Sequence, residues 1–210
     1  MTRARDLADS ADKDIAGTLT LDGLTVAGNL SVDGGTIKLD GNYPTGTNNV
    51  ALGDTALDSV QSGGDNNVAI GHNAGTAITT GAENTIIGAE AGQALTTGTD
   101  NTFLGRKAGY NNTDRNHNTG LGNESLFTNV NGAKNVAVGS GALLSMNPAS
   151  DADTYNTAIG YDAGLAVTTG VDNTLIGGLA GDALTTGGNN TVVGKQALSA
   201  DTKGGTAVAI

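Results

Sequence analysis

Two sets of side chains in this chain have types and spacing that could do chemistry. Glu83, Asp100 and Asp172 each stand directly before an Asn. Carboxylates paired at a set separation cleave glycosidic bonds, and stacked carboxylates are oxygen ligands for Ca²⁺. The second set is basic and aromatic. Arg106, Lys107, Arg115 and Lys134 cluster in an otherwise acidic chain, among Phe103, Tyr110 and Phe127. Phe103, Arg106, Lys107, Tyr110, Arg115 and Phe127 are the candidate ligand contacts. Each set also has a plainer reading. Asp or Glu before Asn is turn chemistry, and an irregular basic patch can be a solvated surface. His72 and His117 lack a second ligand at motif spacing, and the nonapeptide calcium repeat is absent. Paired Thr at Thr79, Thr96, Thr168 and Thr185 would suit an ice-facing surface, but the run breaks in the middle of the chain. The chain reads as a non-enzyme with no cofactor and no metal.

A repeat positions these residues. Asn67–Glu83 and Asn84–Asp100 are two copies of one 17-residue unit. The opening Asn recurs at 49, 67, 84, 101, 118, 135, 156, 173 and 190, with steps of 17 except for one of 18 and one of 21. A Gly stands at the fifth place of all nine units. A short fixed period means stacked units that each touch only their neighbours. The stacked carboxylates are therefore one column of the repeat, and the four-residue insertion between Asn135 and Asn156 adds a loop beside the basic cluster. Departures from a repeat often mark its binding face.

Composition agrees with thin β-coils. The 210 residues include 34 Gly, no Cys and no Trp, with four Tyr and two Phe as the only aromatics. A net charge of −11 disfavours nucleic acid as a partner. No apolar run approaches the roughly 18 residues of a membrane span, so no membrane insertion is expected. The first thirty residues lack the apolar core of a signal peptide.

Three segments are expected. Residues 1–16 place Ala4, Leu7, Ala8, Ala11 and Ile15 on one helical face, the candidate anchor. Residues 17–48 read as short strands joined by tight turns such as Asp22-Gly23 and Asp33-Gly34, a stalk. Residues 49–210 are the repeats.

Within each repeat strand, the second and fourth places share a face. The fourth is always aliphatic and the second is Val or Thr. These two columns are expected to line the inside of the coil. The third place then faces outward, yet it is never polar in nine copies. A strand apolar on both faces is buried on both. An identical chain is the expected cover, with Ile86, Phe103, Leu175 and Val192 as trimer-packing residues. Places nine and twelve trade volume: Gly92 goes with Leu95, but Leu126 goes with Asn129. The Asn column is expected to form a ladder from coil to coil.

Asn156-Thr-Ala-Ile-Gly160 and Asn67-Val-Ala-Ile-Gly71 resemble the repeats of phage tail-fibre and appendage proteins, and are similar to those of trimeric autotransporter adhesin heads. The opening MTRARDLADSADKDIAGTLTLDGLTV resembles the N-termini of marine phage (cyanophage-like) fibre proteins. The resemblance implies an all-β trimeric β-solenoid or β-roll, nine 17-residue repeats after a short helix and a stalk. It implies a structural virion protein, a tail fibre or appendage presenting a host-contact or distal-docking module. The alternative is a bacterial cell-surface adhesin head. The implied partners are two further copies, other virion proteins at the N-terminal helix and at the C-terminal end, and a host surface glycan. The last expectation concerns that end: Ala207 replaces the tenth Asn, and Val208, Ala209 and Ile210 stop inside a strand, so a further segment or a second protein is expected to cover it.

Overall fold

In every full coil, Asn at the first place and Gly at the fifth bracket a strand of three residues. The computed structural model describes residues 46–210. The helix expected over 1–16, with Ala4, Leu7, Ala8, Ala11 and Ile15, and all but the last three residues of the stalk lie outside the described residues. The strands of the main sheet are β1 (Val50–Leu52), β2 (Val68–Ile70), β3 (Thr85–Ile87), β4 (Thr102–Leu104), β5 (Thr119–Leu121), β7 (Val136–Val138), β9 (Thr157–Ile159), β10 (Thr174–Ile176), β11 (Thr191–Val193) and β12 (Val208–Ala209). They pair in parallel and in chain order. The register repeats like on like, with Thr102 opposite both Thr85 and Thr119. A second pair, β6 (Gly132–Ala133) and β8 (Ala152–Asp153), occurs where the repeat is interrupted. The architecture is an all-β solenoid of about nine stacked parallel coils.

Backbone approach explains the Gly column. The fifth-place glycines have φ between 127° and 141°, where a side chain is strained. A Cβ on Gly88 would stand 2.5 Å from the carbonyl oxygen of Gly105 in the next coil. Gly194, in the last full coil, meets nothing closer than 3.8 Å.

The Asn column forms the expected ladder, and it lies inside. Asn67, Asn84, Asn101, Asn118, Asn135 and Asn173 are fully buried. The backbone N–H of each ladder residue donates to the Oδ1 of the Asn one coil earlier, as Asn84 does to Asn67 at 3.0 Å and Asn190 to Asn173 at 3.1 Å. Each side-chain amide also donates to a turn carbonyl, such as Asn84 Nδ2 to Gly98 O at 2.9 Å. The ladder thus satisfies buried backbone groups that a strand of three residues leaves over. It survives the 21-residue step: Asn156 N reaches Asn135 Oδ1 at 3.1 Å, and Thr154 Oγ1 donates to the same oxygen at 2.8 Å.

The ladder fixes which face is the core, and it corrects the sequence expectation. Alternation puts the first and third places on one side of the strand. The third-place residues Ala69, Ile86, Phe103, Ala137, Ala158, Leu175 and Val192 are all 0% exposed in the single chain. Ile86, Phe103, Leu175 and Val192 are therefore core residues of one chain and cannot be the contacts between chains. The fourth place faces outward instead, with Leu52, Leu104, Ile159, Ile176 and Val193 exposed.

The core residues share one volume across three columns, which completes the expected exchange between places nine and twelve. Coil six has small Ala137 and carries both Leu143 and Met146. Coil three has Ile86 and Leu95 in the core and Gly92 at place nine, where Ile86 and Phe103 take the room a Cβ would need. Coil four has neither Leu at nine nor an aliphatic at twelve, because Phe103 fills the space. A Cβ on Gly109 would come within 2.5 Å of the Phe103 ring, and one on Gly120 within 3.2 Å. Close packing makes the third place the hidden partner in the trade.

Candidate functional site

Three surfaces were candidates, and the structure treats them differently. The carboxylates Glu83, Asp100 and Asp172 occupy the turn before the ladder Asn, with φ of 60°, 57° and 56°. Their backbone N–H groups bond to the preceding coil, for example Glu83 N to Asp65 O at 3.0 Å. Asn48, Asn66 and Asn189 stand at the same place with the same φ. The column is therefore a left-handed corner of the coil, occupied by acids in some repeats. Among the described residues, no three potential metal ligands converge.

The expected contact cluster divides. Phe103 is in the core, so it is not a ligand contact. Tyr110 and Phe127, at one repeat position in adjacent coils, stack with centroids 5.2 Å apart at 18°. The Lys107 amine sits 5.4 Å from the Tyr110 centroid and 3.5 Å from Glu90 one coil back. Arg106 pairs with Glu124 one coil on, at 3.3 Å. These rings and cations are engaged along the solenoid axis by their own neighbours. Arg115 belongs elsewhere.

Arg115 lines a cleft of about 310 Å³ together with Asp114, Asn116, His117, Ala133, Lys134 and Asp153. The repeat builds one wall, from the last corner of coil four and β6. The insertion builds the other, from β8. Arg115 Nε donates to Asp114 Oδ1 at 2.8 Å, and its Nη2 lies 3.1 Å from Asp151 Oδ2. Lys134 Nζ donates to Asp153 Oδ2 at 2.6 Å and to the Tyr155 hydroxyl at 3.1 Å. Tyr155 OH in turn donates to Asp153 at 3.3 Å. The hydrogen bond from Arg115 holds the Asp114 carboxyl below its ordinary range. The hydrogen bond from Lys134 does the same to Asp153, which reciprocally raises the Lys134 amine. Both pairs stay ionised at neutral pH. The sequence signalled this place through the 21-residue step, but Asp114, Asn116, Asp153 and Tyr155 were not singled out. Their convergence depends on the β6–β8 pairing, which no repeat position announces.

The third surface is the outer face of the main sheet. Its second-place residues are Val or Thr and its fourth-place residues Leu, Ile or Val, so the face carries no ionisable side chain. Leu104 is 45% exposed and Leu52 41%. The aliphatic row runs from Leu52 to Val193 without a break, over about 40 Å at the usual strand spacing of about 4.8 Å. Among the described residues, no helix is long and apolar enough to cross a membrane.

No protein-family model, no curated protein and no solved structure matches this chain.

Proposed function

We propose that this chain is a structural virion protein, a phage tail fibre or similar appendage, assembled as a homotrimer through the outer face of its sheet. The observation that carries this reading is the unbroken aliphatic row at the fourth place. Contiguous exposed apolar surface rimmed by polar residues marks a contact site. The row repeats once per coil, so the partner that matches it along its whole length has the same rise per coil. A second copy of the chain meets that condition. The face measures about 40 by 10 Å, roughly half of the ~800 Å² per partner in a standard interface. The columns flanking the strand therefore join the contact, as they do when three faces turn toward one axis. The solenoid supplies a stiff rod, and the repeat motif, which resembles fibre repeats, supports a place in an appendage. The insertion between Asn135 and Asn156 interrupts the rod with the cleft, the feature best suited to host contact.

Antibodies raised against residues 49–210 test the placement. Labelling of appendages on purified phage particles is expected. Particles free of the label, with label on a bacterial surface instead, would favour the adhesin head and overturn the virion reading.

A further inference from the structure

The geometry points to the cleft between β6, β8 and the last corner of coil four as a binding site for a neutral, polyhydroxylated sugar. The inference deepens the host-contact reading and rests on it only for the source of the sugar.

The charges of the lining decide the ligand class. Asp114, Asp151 and Asp153 meet Arg115 and Lys134, so neither base in the cleft is left without an acid. An anion entering the cleft would have to take Arg115 from Asp114 and Asp151, or Lys134 from Asp153. A cation would have to strip the same carboxylates. Each exchange breaks a charge-assisted hydrogen bond, the stronger kind. A neutral ligand needs no such exchange. Arg115 uses Nε and Nη2 in its two pairs and has further N–H donors, and each carboxylate has lone pairs to spare. Donors and acceptors thus alternate along the lining. A hydroxyl both donates and accepts, so neighbouring hydroxyls of one ring can bridge a base and its acid together. Asn116 and His117 add further polar groups at the same wall. The volume of about 310 Å³ is at the small end of the ligand-site range, about 300–1,000 Å³. That suits a single ring or a short saccharide end. The site is also pre-formed. Thr154 N donates to Ala133 O at 3.0 Å, and Asn116 Oδ1 accepts from Thr99 N at 2.8 Å. Pre-organised donors lose less entropy on binding.

Saturation-transfer difference NMR on the full 210-residue chain tests this. The probes are the methyl glycosides of glucose, galactose, mannose and N-acetylglucosamine, with N-acetylneuraminic acid and spermidine as charged controls. Saturable binding of at least one neutral glycoside is expected, with Kd on the order of 1 mM for a single shallow site. Arg115→Ala and Lys134→Ala should each weaken it about tenfold or more, and Arg106→Ala should not change it. Thermal melts confirm that the variants fold. Because a variant may lose the cleft with its fold, hydrogen exchange on the unaltered chain reads the site independently: the bound sugar should protect residues 114–117 and 132–134. The inference is overturned if no neutral glycoside saturates, if only a charged probe binds, or if protection falls elsewhere. Light scattering on the same samples reads the trimer separately, so the site can fail while the assembly stands, and the reverse.

Discussion

Phe103 and Gly109 offer a test of how the coils are filled. Phe103→Ala removes the largest fully buried side chain among the described residues and should cost about 3–5 kcal/mol. Gly109→Leu alone should also destabilise. Its Cβ would stand 2.5 Å from Cε1 and Cζ of Phe103, so the ring must move, at about 1–3 kcal/mol for overpacking. Gly109 also has φ of 59°, which adds about 1–2 kcal/mol for a residue with a Cβ. The two changes together should partly cancel. All three of the nearest obstacles to a Cβ on Gly109 are atoms of the Phe103 ring. Leu57, Leu126 and Leu143 already hold the equivalent place with φ of 53°, 52° and 48°. The double variant should therefore be about 1–3 kcal/mol more stable than Phe103→Ala, so the two changes are far from additive, as expected of residues in contact. Urea unfolding followed by far-ultraviolet circular dichroism, at one protein concentration, gives the cycle. Hydrogen exchange of coils four and five localises it, because stacked coils need not unfold together. A double variant less stable than both single ones would show that the columns do not share one space. The simpler exchange, Gly92→Leu to rescue Leu95→Ala, is not expected to work well. A Cβ on Gly92 lies 3.1 Å from Ile86 Cδ1 and 3.3 Å from Phe103 Cδ2.

Other outcomes follow from the ladder, the Gly column and the cleft. Asn84→Ala orphans Asn101 N and Gly98 O, at about 1–3 kcal/mol for each group, and a melt no different from the unaltered chain would contradict the ladder's structural role. Gly122→Ala should lower the melting temperature more than Gly194→Ala: both have positive φ, but a Cβ at Gly122 meets Gly139 at 2.5 Å and one at Gly194 meets nothing closer than 3.8 Å. Asp114 and Asp153 titrate below their ordinary 3.8, so their contribution is present above that value and lost as pH falls through the folded one. Sugar binding should then be flat from about pH 8 to about pH 5 and fall in stronger acid, while the ion pairs' small effect on stability fades in high salt.

The period of the coils, the strand at each Asn and the ladder were all legible in the sequence. The direction of the strand faces was not read correctly, though the information was present. A buried Asn at the first place requires the third place inside by alternation alone. The uniform aliphatic fourth column drew the opposite conclusion, because uniform size looks like a core. The core is instead the variable column. Third-place residues range from Gly120 to Phe103 because they complement places nine and twelve, whereas the fourth place points away from the chain's own core. The candidate contacts were harder. Phe103 and Arg115 look alike as departures from the repeat, and only the fold separates a ring packed over Gly109 from a guanidinium beside Asp151. The cleft needs the β6–β8 pairing across the insertion, a long-range contact without a local signal.

The most direct test of self-association is the mass of the 210-residue chain by light scattering, beside that of Ile176→Asp and Ile159→Asp. Both side chains are over a third exposed in the single chain, so Asp should change the stability of one solenoid by only about 0.5 kcal/mol or less. In the assembly it would bury an unpaired charge, which is costly. The unaltered chain should have three times its 20.6 kDa mass, and both variants should fall to single chains with an unchanged circular dichroism spectrum. A stable monomer of the unaltered chain at micromolar concentration, or trimers that persist in both variants, would contradict the outer sheet face as the seam between copies.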